Sequence, residues 1–237
     1  MLMKLLYAFL FLFPVVALAQ IDEEEQEAIL AVRDSLYRED QFYIDLTFNL
    51  VREEAKSYEQ NGFSGGYAIG FLRDMPINKR RNVAIAVGLG INANVLNHNL
   101  FIGGDNDNGD SVFELIPDDI DVSRNRLFTH YLEVPIEFRF RTSTVESYKF
   151  YRAHVGMKFK YLYHYKALFE GEGVKVIQRD IPEINRFQFG PMLTLGYNNF
   201  NFTAFYTLST LFNEDAQIEG QPLNLQVFKV GLKFYVL

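Results

Sequence analysis

The chain has 237 residues, which is enough for a single domain of barrel or sandwich size. Its formal net charge of -7 leaves no basic stripe to neutralise phosphates, so nucleic acid is excluded as a partner. Cysteine is absent, which excludes disulfides, thiolate zinc sites and a lipid anchor on cysteine. Aromatic residues make up 16% of the chain, and this abundance suits the aromatic girdles of a membrane barrel.

The N-terminus has the form of an export signal. Lys4 provides a positive charge, residues 5–16 form an apolar stretch, and Ala17-Leu18-Ala19 is a small-x-small cleavage site. The apolar stretch is too short and too close to the N-terminus for a convincing transmembrane helix. We therefore predict a signal peptide over residues 1–19 that is cleaved near Ala19.

Residues 20–40 are predicted to form an acidic periplasmic leader. The acidic start is followed by Ile29, Val32 and Leu36 at spacings of three and four, which indicates a short amphipathic helix. Two uses stay open for this segment. It is either a solvated leader with one turn packed on the barrel mouth, or a docking element for a periplasmic partner.

From Gln41 onward, apolar and polar residues alternate over segments long enough to cross a bilayer. Residues 42, 44, 46, 48 and 50 are Phe, Ile or Leu, and those between them are Tyr, Asp, Thr or Asn. In hydrocarbon, only a closed barrel satisfies the backbone of such strands. We predict an all-β fold: an eight-stranded antiparallel transmembrane up-and-down β-barrel over residues 41–237. The expected strands are 41–50, 62–73, 82–96, 126–141, 149–164, 185–197, 200–211 and 223–237.

The connections between these strands alternate in length. The short links are predicted to be periplasmic turns and the long links extracellular loops. Pro135 and Pro191 fall inside predicted strands, and each is expected to mark a bulge or a strand end. The short links are 74–81, 142–148 and 198–199, and the long links are 52–61, 97–125, 165–183 and 212–222.

Two neighbouring predicted strands place charged side chains on the face opposite their apolar residues. Pairing of these strands puts Glu133 beside Lys158 or Lys160, and Glu137 near His154 or Lys158. We predict a charge-paired, packed lumen, because eight strands leave room only for side chains. A proton or ion path and acid–base catalysis are weaker alternatives. The candidate network is Glu133, Glu137, Arg139, Arg141, Arg152, His154, Lys158 and Lys160.

The long link 97–125 contains Gly103 to Asp110, a segment that resembles a calcium-binding loop. Its oxygen ligands alternate, but Gly109 stands where a ligand is expected. A solvated turn is the favoured interpretation. No metal site and no cofactor are assigned.

A lipid hydrolase would need a nucleophile, a histidine and an acid that converge near the membrane interface. The four histidines are scattered, and only His130, with Thr129 and Ser123, could lie near the outer rim. No nucleophile motif stands out. We predict that the protein is not an enzyme, and no small-molecule substrate is identified.

Five segments carry a resemblance to a known family: Arg38 to Tyr43, Gly70 to Lys79, Ala86 to Gly90, Val134 to Arg139 and Arg141 to Thr144. Together they resemble the PorT family of small outer-membrane barrels of Bacteroidota. The Leu-Glu-Val-Pro element at residues 132–135 is similar to a broad barrel family, and the turn from Arg73 to Lys79 is the more particular match. The resemblance covers about residue 34 to the end.

The resemblance implies a non-enzymatic outer-membrane component of the type IX secretion system, with secretion subunits as partners besides the membrane lipid. It implies no catalytic residues. The matching turn could dock such a subunit, or it could serve only as a tight reversal. The alternatives are a generic small barrel that anchors the envelope or binds a surface ligand through its loops and, remotely, a lipid-modifying enzyme. The candidate docking turn is Asp74, Met75, Pro76, Ile77, Asn78 and Lys79.

Overall fold

The computed structural model of the chain describes residues 40–52, 58–105, 111–117, 119–142, 151–197 and 200–236. The signal peptide predicted over residues 1–19, with its cleavage site, and the leader up to residue 39 lie outside these ranges. Within them, no helix is long and apolar enough to cross a membrane.

Strands make up the regular structure of the described residues. Their order in the chain gives the labels used below. They are β1 (Gln41–Arg52), β2 (Gly65–Pro76), β3 (Val83–Asn97), β4 (Leu100–Asp105), β5 (Ser111–Leu115), β6 (Val122–Arg141), β7 (Tyr151–Gly171), β8 (Val174–Gln178), β9 (Phe187–Tyr197), β10 (Phe200–Tyr206), β11 (Gln217–Ile218), β12 (Gln221–Pro222) and β13 (Gln226–Val236).

Eight antiparallel strands close into a barrel, which confirms the predicted fold class. The order around the barrel is β6, β3, β2, β1, β13, β10, β9 and β7, and β7 pairs with β6 to complete the circle. The seam joins the first and last strands, with pairs that run from Phe42↔Val236 to Arg52↔Gln226. Closure leaves these eight strands without a free edge, as membrane strands require.

Most strand bounds differ from the predicted ones by a few residues, among them the start of β6 at Val122 instead of residue 126, and three of the differences have a clear structural reason. β2 continues to Pro76, because Pro76 still pairs with Ala84 of β3, whereas the prediction ended the strand at residue 73. β7 runs seven residues past its predicted end at residue 164 and pairs there with β8. β10 ends at Tyr206 instead of residue 211, because the residues that follow bury their apolar side chains in another core.

The two prolines lie in continuous strands, so the expectation that each marks a bulge or an end of its own strand is wrong. The register between β3 and β6 is the same on both sides of Pro135, although Pro135 itself and Val134 have no partner in β3. Pro191 pairs with Met157 of β7, and the pairing of β9 with β10 stops at Met192. Each missing N–H therefore falls where one neighbouring ladder is open.

Side chains alternate between the outside and the lumen along each barrel strand. On β1, Phe42, Ile44 and Leu46 are exposed, whereas Tyr43 and Asp45 are buried. The same alternation on the other strands produces an apolar belt around the outside. Tilted strands of this kind present an apolar band about 25 Å tall, which matches the hydrocarbon core of the membrane.

At the end opposite the short turns, the long connections pack into a hydrophobic core. Inward side chains of the barrel, such as Leu127 and Leu162, join apolar residues of the connections, such as Ile181, Phe212 and Leu225. The long-loop end of the barrel is thus filled by its own loops. We call the described residues of these connections the loop cap: 58–64, 98–105, 111–117, 119–121, 172–186 and 207–225.

Candidate functional site

Tyr43 stands at the centre of the lumen because two glycines make room for its ring. A Cβ atom added at Gly70 or at Gly90 would collide with the Tyr43 side chain. The Tyr43 hydroxyl donates a hydrogen bond to Glu133 Oε1 at 2.7 Å, across the barrel from β1 to β6. Small residues on β2 and β3 therefore permit a contact that ties opposite walls together.

A second layer of contacts joins β1, β6, β7 and β13. Lys158 Nζ lies 3.0 Å from Glu133 Oε1 and 3.5 Å from Asp45 Oδ2. Lys233 Nζ lies 3.7 Å from the same Asp45 oxygen. Each of these side chains is almost completely buried. Opposite charges that are buried together in this way compensate the cost of removing them from water.

Glu137 contacts three nitrogen-bearing side chains in the lumen. Its carboxylate lies 2.9 Å from Arg139 Nε, 3.4 Å from Lys233 Nζ and 3.6 Å from His154 Nδ1. His154 also contacts the Tyr235 hydroxyl at 3.0 Å. One carboxylate from β6 therefore holds cationic or polar groups from β6, β7 and β13.

Asp74 closes the network toward the short turns. Its two oxygens contact Arg139 Nη1 at 3.2 Å and Arg141 Nη1 at 3.0 Å. Arg141 also donates from Nε to the carbonyl oxygen of Arg81, at 2.9 Å. Asp74, Arg139 and Arg141 are buried, so this end of the lumen is occupied by a fixed triad of charges.

The remaining lysines of the lumen bind aromatic rings and amides. Lys160 Nζ lies 4.5 Å from the centre of the Tyr131 ring and 4.6 Å from that of Phe205, a cation–π arrangement. Lys229 donates to Asn92 at 3.2 Å. The cavity between these groups has a volume of about 10 Å³, which is room for about one water molecule. The lumen at this level is filled rather than open.

A family model described as "Outer membrane protein beta-barrel domain" matches residues 19–213. The chain belongs to this family. The family match and the closed barrel together place the protein in the outer membrane, where its apolar belt faces lipid. The match is to this general barrel family and does not identify the chain as a PorT protein.

Two solved structures are similar to this outer-membrane barrel. One is the crystal structure of Ail, the attachment invasion locus protein of Yersinia pestis, with 11% sequence identity and a TM-score of 0.34. The other is Ail in complex with the heparin analogue sucrose octasulfate, with 12% identity and the same TM-score. Both matches cover 84% of this chain and 100% of the Ail chain. No curated protein sequence matches.

The eight charged residues proposed for the barrel interior do not all share one role. Glu133, Glu137, Arg139, Arg141, His154 and Lys158 are brought into the ion-pair network described above. Lys160 lies against rings, and Arg152 lies near the Tyr235 ring at the short-turn end. Asp45 and Asp74 also belong to this network but were not among the predicted partners. The position of Asp45 on the polar face of β1 would have indicated it.

Only the second half of the candidate docking turn lies in a turn, because β2 ends at Pro76. Asp74 points into the lumen and Pro76 still pairs with β3, so the reversal begins only at Ile77. Asn78 and Asn82 stabilise it, since Asn78 Nδ2 donates to Asn82 Oδ1 at 2.5 Å. Met75 and Ile77 are exposed at this end of the barrel.

Residues 106–110 of the predicted calcium-like loop lie outside the described residues. In the described ranges, no cluster of three His, Asp or Glu side chains could hold a metal ion. Thr129 and His130 lie on opposite faces of β6: Thr129 is buried and accepts a hydrogen bond from Asn94, whereas His130 faces outward. These two residues cannot form a catalytic pair.

His98 gives the loop cap a pH dependence. Burial lowers the pKa of His98 to about 4 from an ordinary value of 6.5. Unfolding of the cap therefore takes up a proton between these pH values, and the cap loses stability as the pH falls through this window. From pH 7 to pH 5 we expect the free energy of local opening to fall by about 2 kcal/mol, as read from hydrogen exchange of cap amides.

The matched variant for this prediction is His98→Asn. In the native cap, His98 Nδ1 accepts a hydrogen bond from the Leu100 N–H at 3.2 Å, and an Asn side chain can accept the same bond. The variant should keep the cap folded at pH 7 and remove most of the pH dependence. An unchanged pH dependence in His98→Asn would show that another group is responsible.

Proposed function

We propose that this protein is a non-enzymatic, non-conducting barrel that uses its loop cap as a rigid surface for binding a partner outside the cell. The observation that carries the proposal is the hydrophobic core of the cap. A loop with its own core presents fixed side chains, so a partner does not have to order the loop on binding. The filled lumen beneath the cap supports a scaffold rather than a channel.

Charge on the cap favours a partner that carries positive charge. Most of its exposed charged side chains are acidic, whereas the exposed bases among the described cap residues are Lys175, Arg179 and Arg186. Opposite charge speeds encounter and excludes acidic partners. The exposed acids among the described cap residues are Glu59, Glu114, Asp119, Asp121, Glu172, Asp180, Glu214, Asp215 and Glu219.

Binding and conductance test this proposal in lipid nanodiscs and planar bilayers. A lysine-rich peptide should bind the folded barrel, and Asp119→Asn with Asp121→Asn and Glu214→Gln should weaken it at least about threefold, since rim charges act at long range. A glutamate-rich peptide is the control. Equal binding of both peptides, or a steady channel current from the wild-type barrel, would reject the proposal.

A second candidate function is the type IX secretion role implied by the resemblance to PorT proteins. What favours it is the exposed apolar pair at the short-turn end, Met75 and Ile77, which are 44% and 56% exposed. Such side chains suit contact with a periplasmic subunit, provided that the short turns face the periplasm.

A deletion strain separates the two functions. Cargo that carries the C-terminal targeting domain should accumulate in the periplasm if the secretion role is correct, and Ile77→Asp should reproduce the defect. Met75→Leu, which keeps an apolar side chain, is the matched control. Normal export in the deletion strain would eliminate this second function and leave the surface-binding proposal standing.

A further inference from the structure

A groove of about 1090 Å³ runs along the outer wall of the barrel, over β1, β2, β3 and β6. It lies outside the sheet, on the side opposite the charged lumen. Its walls carry aromatic rings, among them Phe48, Phe63, Tyr67 and Phe128. The volume lies just above the range for pockets that hold small ligands, roughly 300–1,000 Å³.

Small outward-facing residues create the floor of this groove. Gly65 and Ala93 occupy outward positions, whereas the neighbouring outward positions of β2 and β3 carry larger side chains such as Tyr67 and Ile91. The Phe63 ring leans over Gly65, where an added Cβ would lie 2.6 Å from it, and it packs against Phe48 at a centroid distance of 5.4 Å. The groove is therefore a product of particular side chains rather than a general property of the wall.

Basic groups line one rim of the groove. Arg126 and His130 contribute to it directly. Among the described residues, the buried Nε atom of Arg126 has no hydrogen-bond partner. On the adjacent strand, Lys166 lies 4.8 Å from the centre of the Phe128 ring and His164 is paired with His130.

The rim lies where the apolar belt ends. Along β6 the outward side chains are apolar from Phe140 to Leu132 and then change to His130, Phe128 and Arg126 toward the long-loop end. This is the height at which the hydrocarbon of a bilayer gives way to head groups. A ligand in the groove would thus have its apolar part among rings and its polar part beside Arg126.

We propose that this groove binds one phosphate-bearing membrane lipid, with an acyl chain between Phe48 and Phe128 and the phosphate at Arg126. Arginine matches phosphate geometry by donating two parallel hydrogen bonds. A bound peptide would need backbone partners, and the paired barrel strands offer none. The groove also continues directly into the lipid-facing belt, so a lipid enters it without crossing water.

Native mass spectrometry of the detergent-solubilised barrel tests this proposal with phosphatidylglycerol as the probe. Wild type should retain one lipid. Arg126→Gln should weaken retention about tenfold, and Ala93→Phe should abolish it by filling the floor of the groove. Arg124→Gln is the matched control, because Arg124 lies on the same face of β6 but outside the groove and should have no effect.

Two competition experiments distinguish binding of a lipid from binding of free phosphate, and a folding control excludes misfolded variants. Inorganic phosphate in excess should not displace the lipid, because it lacks the apolar part, and diacylglycerol should bind more weakly because it lacks the phosphate. The gel-mobility shift of folded barrels confirms that each variant is folded. Equal retention by Arg126→Gln and Arg124→Gln, or retention by folded Ala93→Phe, would overturn the proposal.

Discussion

Glu137→Gln should destabilise the barrel by about 3–5 kcal/mol, because it removes one partner of a buried ion-pair network. The carboxylate of Glu137 contacts Arg139, Lys233 and His154, and all of these side chains are buried. Glutamine has nearly the same shape, so the loss reports the charge and not a cavity. The measurement is urea-induced unfolding in lipid vesicles, followed by the gel mobility of the folded barrel.

Glu170→Gln is the control for this substitution. Glu170 also belongs to the β6–β7 wall and lies 3.7 Å from Arg124, but both side chains are more than one-third exposed. A surface pair of this kind contributes little, so the change should stay within about 0.5 kcal/mol. If the two variants unfold at the same urea concentration, the lumen network does not stabilise the barrel.

Gly90→Ala should cost about 1–3 kcal/mol by overpacking the lumen. The added methyl group would meet the Tyr43 hydroxyl, and it would lie 2.9 Å from the carbonyl oxygen of Ile69. Tyr43 is fully buried and bonded to Glu133, so it has no free space to move into. The midpoint of urea unfolding, measured as for Glu137→Gln, gives the size of the effect.

A double-mutant cycle identifies the cause of this loss. In a Tyr43→Phe background the colliding hydroxyl is absent, and the penalty of Gly90→Ala should be roughly halved, the remainder coming from Ile69. Tyr43→Phe alone removes one buried hydrogen bond and should cost about 1–2 kcal/mol. Strictly additive losses would mean that the two side chains do not meet.

The barrel could be predicted from the sequence because side chains in a strand alternate with a period of two. That period places Glu133 and Glu137 inside and Phe138 outside without any knowledge of neighbours. It also locates Lys158, because β6 and β7 are consecutive and their polar faces must meet. Because few residues separate these two strands in the sequence, their shared register is limited closely enough to predict a local pair.

The partners across the lumen could not be found in this way. Lys233 and Tyr43 reach Glu137 and Glu133 only because the barrel closes, and closure depends on the stagger of all eight strands. Asp74 was placed in a turn because Pro76 is typical of a reversal, yet ladder pairing with β3 carries the strand past it. The loop cap could not be predicted for another reason: its apolar residues do not recur at the regular spacing of a strand or a helix.

Pairing of β1 with β13 has a consequence for the order of assembly. The two strands are separated in the sequence by all the other strands of the barrel. Their pairing therefore has the highest sequence separation of any strand pair in the barrel, and we expect it to form late in folding. Until β13 is in place, β1 and β10 each expose an unpaired backbone edge to other chains. A shortened chain that lacks β13 would keep both edges, and the expected product is an intermolecular sheet instead of a monomeric barrel.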